Sequence, residues 1–177
     1  MFSLETLRID LKAFKEGSLE KNWMLGDDYF SALEEAEIQR GSVNVEVTLR
    51  KAENYFDMEI STEGFVVVTC DRCLDDMEQS VKSDNRFIVK LGIADSEDDD
   101  TITVDENEGM LDLSWVIYES IALSLPIKHV HAPGKCNTAM TEKLDELSAT
   151  RSGDGDDNTA VDPRWSKLTE LKELKNH

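Results

Sequence analysis

The chain of 177 residues carries 38 acidic against 19 basic side chains, for a formal net charge of −19, and 40% of its residues are hydrophobic. That length suits one domain, with or without a tail, and the apolar fraction is enough for a core, which excludes a fully disordered chain. Acidity on this scale excludes a broad phosphate-binding surface, because non-specific nucleic-acid affinity depends on Lys and Arg displacing counterions; any such contact must be local.

Residues 1–18 mix charged and apolar side chains without the unbroken apolar run of a signal peptide. Next, Asp27 and Asp28 precede a helical period in which Phe30, Leu33, Ala36 and Ile38 share a face, which predicts a helix over residues 29–39, closed by Gly41. Val43, Val45, Val47 and Leu49 then alternate with polar residues, the period of a half-buried strand. After a polar connection at 51–54, Phe56, Met58 and Ile60 repeat the pattern, predicting a hairpin. Residues 65–70 (FVVVTC) form a continuous β-branched run, expected as a strand buried on both faces. Val81, Phe87, Val89 and Leu91 lie on one face of a fourth strand, and its other face shows Lys82, Asp84, Arg86, Ile88 and Lys90. Four strands with short connections predict an antiparallel meander, curled or partly barrel-like.

The acidic run 95–100 reads as a solvated loop. It only partly fits a calcium loop, since Asp100 stands where that loop needs glycine. Residues 111–125 are nearly all apolar and predict a buried helix packed on the sheet, ended by Pro126. Ser114, Glu119, Ser120 and Ser124 interrupt that segment, and it falls short of the roughly 20 apolar residues of a membrane span. Residues 149–159, rich in Gly, Asp and Ser, read as a linker. Asp162 and Pro163 then suit the N-cap and first position of a last helix carrying Trp165, Leu168, Leu171 and Leu174.

The expected architecture is therefore α+β: an antiparallel sheet with a buried helix over residues 1–148, an acidic linker at 149–161 and a C-terminal helix at 162–177. The expected location is cytoplasmic, with no membrane partner.

Three cysteines, an odd number, argue against a disulfide framework and for free thiols or a metal site. Cys70 and Cys73 are separated by two residues where a strand breaks into a turn, the spacing of a zinc knuckle. The remaining donors, His129, His131 and Cys136, cluster after the predicted buried helix. If that loop folds over the turn, a Cys3His zinc site closes; the alternative is a thiol pair without metal. A thioredoxin-like role fits poorly, because the chain continues from C-x-x-C into another strand rather than a helix.

No G-x-S-x-G, H-E-x-x-H or phosphate-cradling glycine loop occurs, so no catalytic constellation and no small-molecule substrate is nominated. Lys82, Arg86 and Lys90 recur every fourth residue of a strand, roughly 13 Å apart at about 3.3 Å per residue. With Arg72 they form a candidate phosphate-contacting stripe; the alternative is an ordinary solvent face.

The order of motifs resembles a known family. C-x-R-C-L (Cys70 to Leu74), an acidic loop, E-x-x-x-L-x-L-P (Glu119, Leu123, Leu125, Pro126) and D-P-R-W-x-x-L-x-x-L (Asp162 to Leu171) together are similar to the YceD family of large ribosomal RNA subunit accumulation proteins. The resemblance implies a non-enzymatic ribosome-biogenesis factor acting on large-subunit rRNA or on a basic ribosomal protein. It also implies a cysteine-rich zinc site, here reduced to one further cysteine, Cys136. Arg164 and Trp165 join Arg72, Lys82, Arg86 and Lys90 as candidate partner contacts. The other reading is an acidic interaction adaptor with a structural zinc and no RNA contact.

Overall fold

A computed structural model describes residues 2–14, 17–34, 36–92 and 100–148. The chain divides into two compact units, Met1–Thr141 and Glu142–His177. The predicted linker and last helix, with Arg164 and Trp165, lie outside the described residues, as do positions 93–99 of the acidic loop.

In chain order, a short 3-10 turn (Leu4–Leu7) leads to β1 (Arg8–Asp10), β2 (Ser18–Leu25), α1 (Asp27–Ala32), β3 (Arg40–Lys51), β4 (Phe56–Thr69) and β5 (Asp76–Gly92). Then follow β6 (Thr101–Asp105), β7 (Met110–Asp112), α2 (Ser114–Leu123) and α3 (Thr138–Leu147). The main sheet has the order β2-β3-β4-β5-β6. It is antiparallel through β5, with β6 parallel to β5. β1 and β7 form a separate antiparallel pair. The fold is therefore α+β as expected, and its sheet is open, with β2 and β6 as edges.

Alternation builds the core as the sequence pattern requires. Val43, Val45, Val47 and Leu49 of β3 are buried, as are Met58, Ile60 and Val66 of β4 and Val81 and Val89 of β5. They pack against Leu113, just before α2, Ile117 and Ile121 of α2, and Tyr29 and Phe30 of α1. Each such side chain contributes about 1.5–3 kcal/mol of burial free energy.

Three expectations change. The two strands foreseen at residues 55–61 and 65–70 are one 14-residue strand, β4. Its last part is not buried on both faces: Val66 and Cys70 are buried, while Phe65 and Thr69 are exposed. Gly64 carries the strand through. A Cβ there would sit 2.2 Å from the Ser42 carbonyl oxygen, so β3 and β4 approach more closely than any side chain permits.

The first helix spans six residues instead of eleven. The Tyr118 hydroxyl accepts the amides of Glu37 (2.9 Å) and Ile38 (3.3 Å), and Asp27 Oδ1 accepts the Gly41 amide (2.8 Å). These bonds draw residues 37–41 into the start of β3, although Leu33, Ala36 and Ile38 are still buried. Finally, α2 begins at Ser114 because residues 110–112 belong to β7, and only one side of it is buried. Trp115, Glu119 and Leu123 form its exposed stripe.

The register of β4 on β5 decides the fate of the cation stripe. Lys82 stands opposite Glu63 and Arg86 opposite Glu59. Arg86 makes a bidentate pair with Asp57 (2.7 and 2.6 Å), Lys82 lies 4.0 Å from Glu63, and Arg50 lies 3.9 Å from Glu59. Lys90 is exposed on the same face. The three cations do share a face, but most of their charge is answered by carboxylates of β4.

Hydrogen bonds from Arg86 hold the Asp57 carboxyl below its ordinary value; burial opposes the shift, and the charges of Arg86 and Arg50 assist it. A depressed carboxyl stabilises the fold above the unfolded value near pH 4, and that stabilisation disappears as pH falls through the folded value. Arg86→Gln is therefore expected to lower the urea midpoint at pH 7 and to flatten the loss of stability between pH 4 and pH 2. An unchanged pH profile would contradict this pairing.

Candidate metal centre

At Thr69, β4 ends and the chain turns through Cys70-Asp71-Arg72-Cys73-Leu74-Asp75 into β5. The turn is closed by the Leu74 amide on the Cys70 carbonyl (2.9 Å) and the Cys70 amide on the Asp75 carbonyl (2.9 Å). Leu74 takes φ +63°, left-handed backbone that costs a residue with a Cβ about 1 kcal/mol. This tight turn leaves both sulfurs on its inner side.

The second half of the centre is the loop after α2. The Asp71 amide donates to the His129 carbonyl (2.7 Å), and the His129 amide donates to Asp71 Oδ2 (2.6 Å). This two-way clasp fastens the loop across 58 residues of sequence. A short turn, Lys135 amide to Ala132 carbonyl (3.0 Å), then brings Cys136 back toward the same point.

The outcome is a cluster of Cys70, Cys73, His131 and Cys136 whose ligand atoms all lie within 4.8 Å of one another. Cys73 Sγ is 3.3 Å from His131 Nδ1; Cys136 Sγ is 4.0 Å from Cys70 Sγ and 4.0 Å from His131 Nδ1. Tetrahedral zinc with Zn–S near 2.3 Å and Zn–N near 2.0–2.1 Å has S–S edges of about 3.8 Å and S–N edges of about 3.6 Å. The donor set and its spacing therefore fit zinc. All three cysteines are free thiols. Cys70 and Cys73 are buried, while His131 and Cys136 are half-buried.

The electrostatics suit a cation. Burial pushes the Cys70 thiol up, but the amides of Cys73, Arg72 and His131, together with the Cys73 thiol, bring it down to about 6. Burial and the neighbouring Cys70 and Cys73 push Cys136 the other way. Crowded thiols resist carrying several negative charges at once, a penalty that a divalent ion removes.

Of the five donors named from sequence, four converge and His129 does not join them. His129 serves through its backbone, in the clasp with Asp71, and its Nε2 is buried without a hydrogen-bond partner among the described residues. Sequence spacing could not separate two histidines two residues apart. Asp71 was also missed: its role depends on a partner 58 positions away. Arg72 lines a pocket of about 380 Å3 beside the cluster, together with Lys128.

Residues 58–172 match the family described as "Large ribosomal RNA subunit accumulation protein YceD". No curated protein and no solved structure matches the chain. The match covers well over half of the sequence and takes in the C-x-R-C turn, the exposed stripe of α2 and the loop that carries His131 and Cys136, so the chain belongs to the YceD family.

Proposed function

We propose that the protein is a non-catalytic binding factor in the accumulation or maturation of large-subunit rRNA, built around a structural zinc centre and working in the cytoplasm. The observation that carries this reading is the completeness of the ligand set. Cys70, Cys73, His131 and Cys136 supply four protein donors, which is the closed arrangement of structural zinc. Catalytic zinc keeps a position for water or substrate, and four protein ligands leave none. The family description supplies the pathway.

A second partner, a basic ribosomal protein, is favoured by the outer face of the sheet. There Asp57 and Glu63 answer cations of β5 and Glu59 answers Arg50 of β3, and the net charge of −19 attracts a cationic surface.

Affinity purification of the full chain from cells, with RNA and protein read out before and after nuclease treatment, tests the proposal. Enrichment of large-subunit rRNA supports it, and small basic proteins that survive nuclease would assign the contact to a ribosomal protein. Recovery of neither, or a chelator-sensitive catalytic activity in the pure protein, would overturn it.

A further inference from the structure

The E-x-x-x-L-x-L-P motif at residues 119–126 is explained neither by the core nor by the metal centre. Glu119 and Leu123 lie on the exposed stripe of α2, where Leu123 keeps 86% of its surface in water. Ile127, just past Pro126, is fully exposed at 103%. Beside these side chains is a groove of about 590 Å3, lined by Ala122 of α2, by Leu125, Pro126 and Ile127 after it, and by Val67 and Val68 of β4. Residues 37–40 and Tyr118 complete the lining. The groove is set in advance. The Tyr118 hydroxyl accepts the amides of Glu37 and Ile38, and Arg40 pairs with Asp76, which also lines the groove. An exposed apolar ridge next to a fixed groove gains by leaving water and needs little ordering to do so.

We propose that this groove docks a Lys/Arg-rich segment of a basic ribosomal protein, with one apolar side chain of that segment seated between Leu123, Leu125 and Ile127. The inference deepens the second reading above, a basic ribosomal protein as partner, and rests on it. Charge selects the occupant. Arg40 in the lining is already answered by Asp76, and Lys128 lines the separate pocket beside Arg72. Glu37 in the lining and Glu119, next to Tyr118 on α2, are exposed and have no ion pair among the described residues. Two unanswered carboxylates beside an apolar groove suit an apolar anchor flanked by cations, and the net charge of −19 speeds the encounter. The same charges disfavour other occupants. A phosphate backbone meets carboxylates and apolar walls, and a second copy of this chain brings its own Glu37, Glu119 and net charge of −19 to the same face. Leu123 and Ile127 contribute no core burial, so their contact area is free for the partner.

The test mixes the full chain, carrying a benzophenone photo-cross-linker in place of Trp115, with large-subunit ribosomal proteins freed of rRNA, and identifies the cross-linked peptide by mass spectrometry. The expected product is a Lys/Arg-rich segment with an apolar residue, and a synthetic peptide of that segment then serves as the probe for affinity. Leu123→Ser and Ile127→Ser are each expected to weaken binding of that peptide about five- to thirtyfold. Glu37→Gln combined with Glu119→Gln should weaken it about three- to tenfold and reduce its salt dependence. Lys82→Gln on the sheet should leave it unchanged. Leu123 and Ile127 are exposed, so their variants are expected to unfold at the wild-type urea midpoint, which separates lost docking from lost folding. Basic proteins that bind wild type and both serine variants equally would overturn the groove and leave the partner reading standing. Absence of any bound basic protein would overturn both. Cross-links to residues 162–177 of the same chain, to a second copy, or to a segment without Lys or Arg would overturn the groove's assignment to a basic partner, as would cross-linking to rRNA alone when rRNA is restored to the mixture.

Discussion

Exchanging Cys136 for serine is expected to abolish zinc retention and to lower the stability of the chain by about 4 kcal/mol when free zinc exceeds its Kd a thousandfold. Cys136 is the choice because it is half-buried, in the loop, and outside the sheet core, so the replacement removes one ligand without opening a cavity among the valines of β3. The loss should be confined to the metal. A chelator added to wild type should bring its denaturation midpoint to that of the variant, and added to the variant should change nothing. Hydrogen exchange should show residues 126–137 and 70–75 losing protection while β3 and the first half of β4 keep theirs, since Val43–Leu49, Met58 and Ile60 pack independently of the centre. A variant as stable as wild type, with unchanged zinc content, would contradict the ligand assignment.

The second large effect belongs to the sheet. Gly64→Ala is expected to destabilise the chain by about 3 kcal/mol or more, because the added Cβ meets the Ser42 carbonyl oxygen at 2.2 Å and Val43 Cα at 2.7 Å. Both obstacles are backbone, so no rotamer change relieves them, and β3 must move away from β4 along the register that buries Val43 and Val66. Gly41→Ala meets the Phe65 carbonyl oxygen at 2.8 Å and should cost less. Urea unfolding of the two variants gives the order directly; a neutral Gly64→Ala would contradict the close approach of the strands.

Period-two patterning carried most of the sheet, because the alternation at Val43, Val45, Val47 and Leu49 has only one reading. It failed around Gly64, where two strands were expected and the glycine is instead the condition for one long strand. The helix predicted at 29–39 had the right periodicity and the right buried residues, but the Tyr118 hydroxyl, 80 residues away, takes the amides that a longer helix needs. β2 was missed because Lys21 interrupts its apolar side, and β6 because its Ile102 and Val104 follow an acidic run.

At the site, residue type and spacing picked out Cys70, Cys73 and Cys136, which the structure brings together with one of the two histidines. The choice of His131 over His129 lies in the clasp between Asp71 and the His129 backbone, and no local pattern encodes it. The cation stripe shows the opposite case. Lys82, Arg86 and Lys90 share a face as their spacing required, and the cross-strand register, invisible in one strand's sequence, places carboxylates beside Lys82 and Arg86.

The central claim is a closed zinc centre of four protein ligands, and X-ray absorption at the zinc edge on the full chain, purified without added metal, tests it most directly. The account predicts one zinc per chain, with three sulfurs at about 2.3 Å and one nitrogen at about 2.0 Å. A folded chain that carries no zinc, or a coordination shell with a water oxygen in place of the fourth protein ligand, would contradict it.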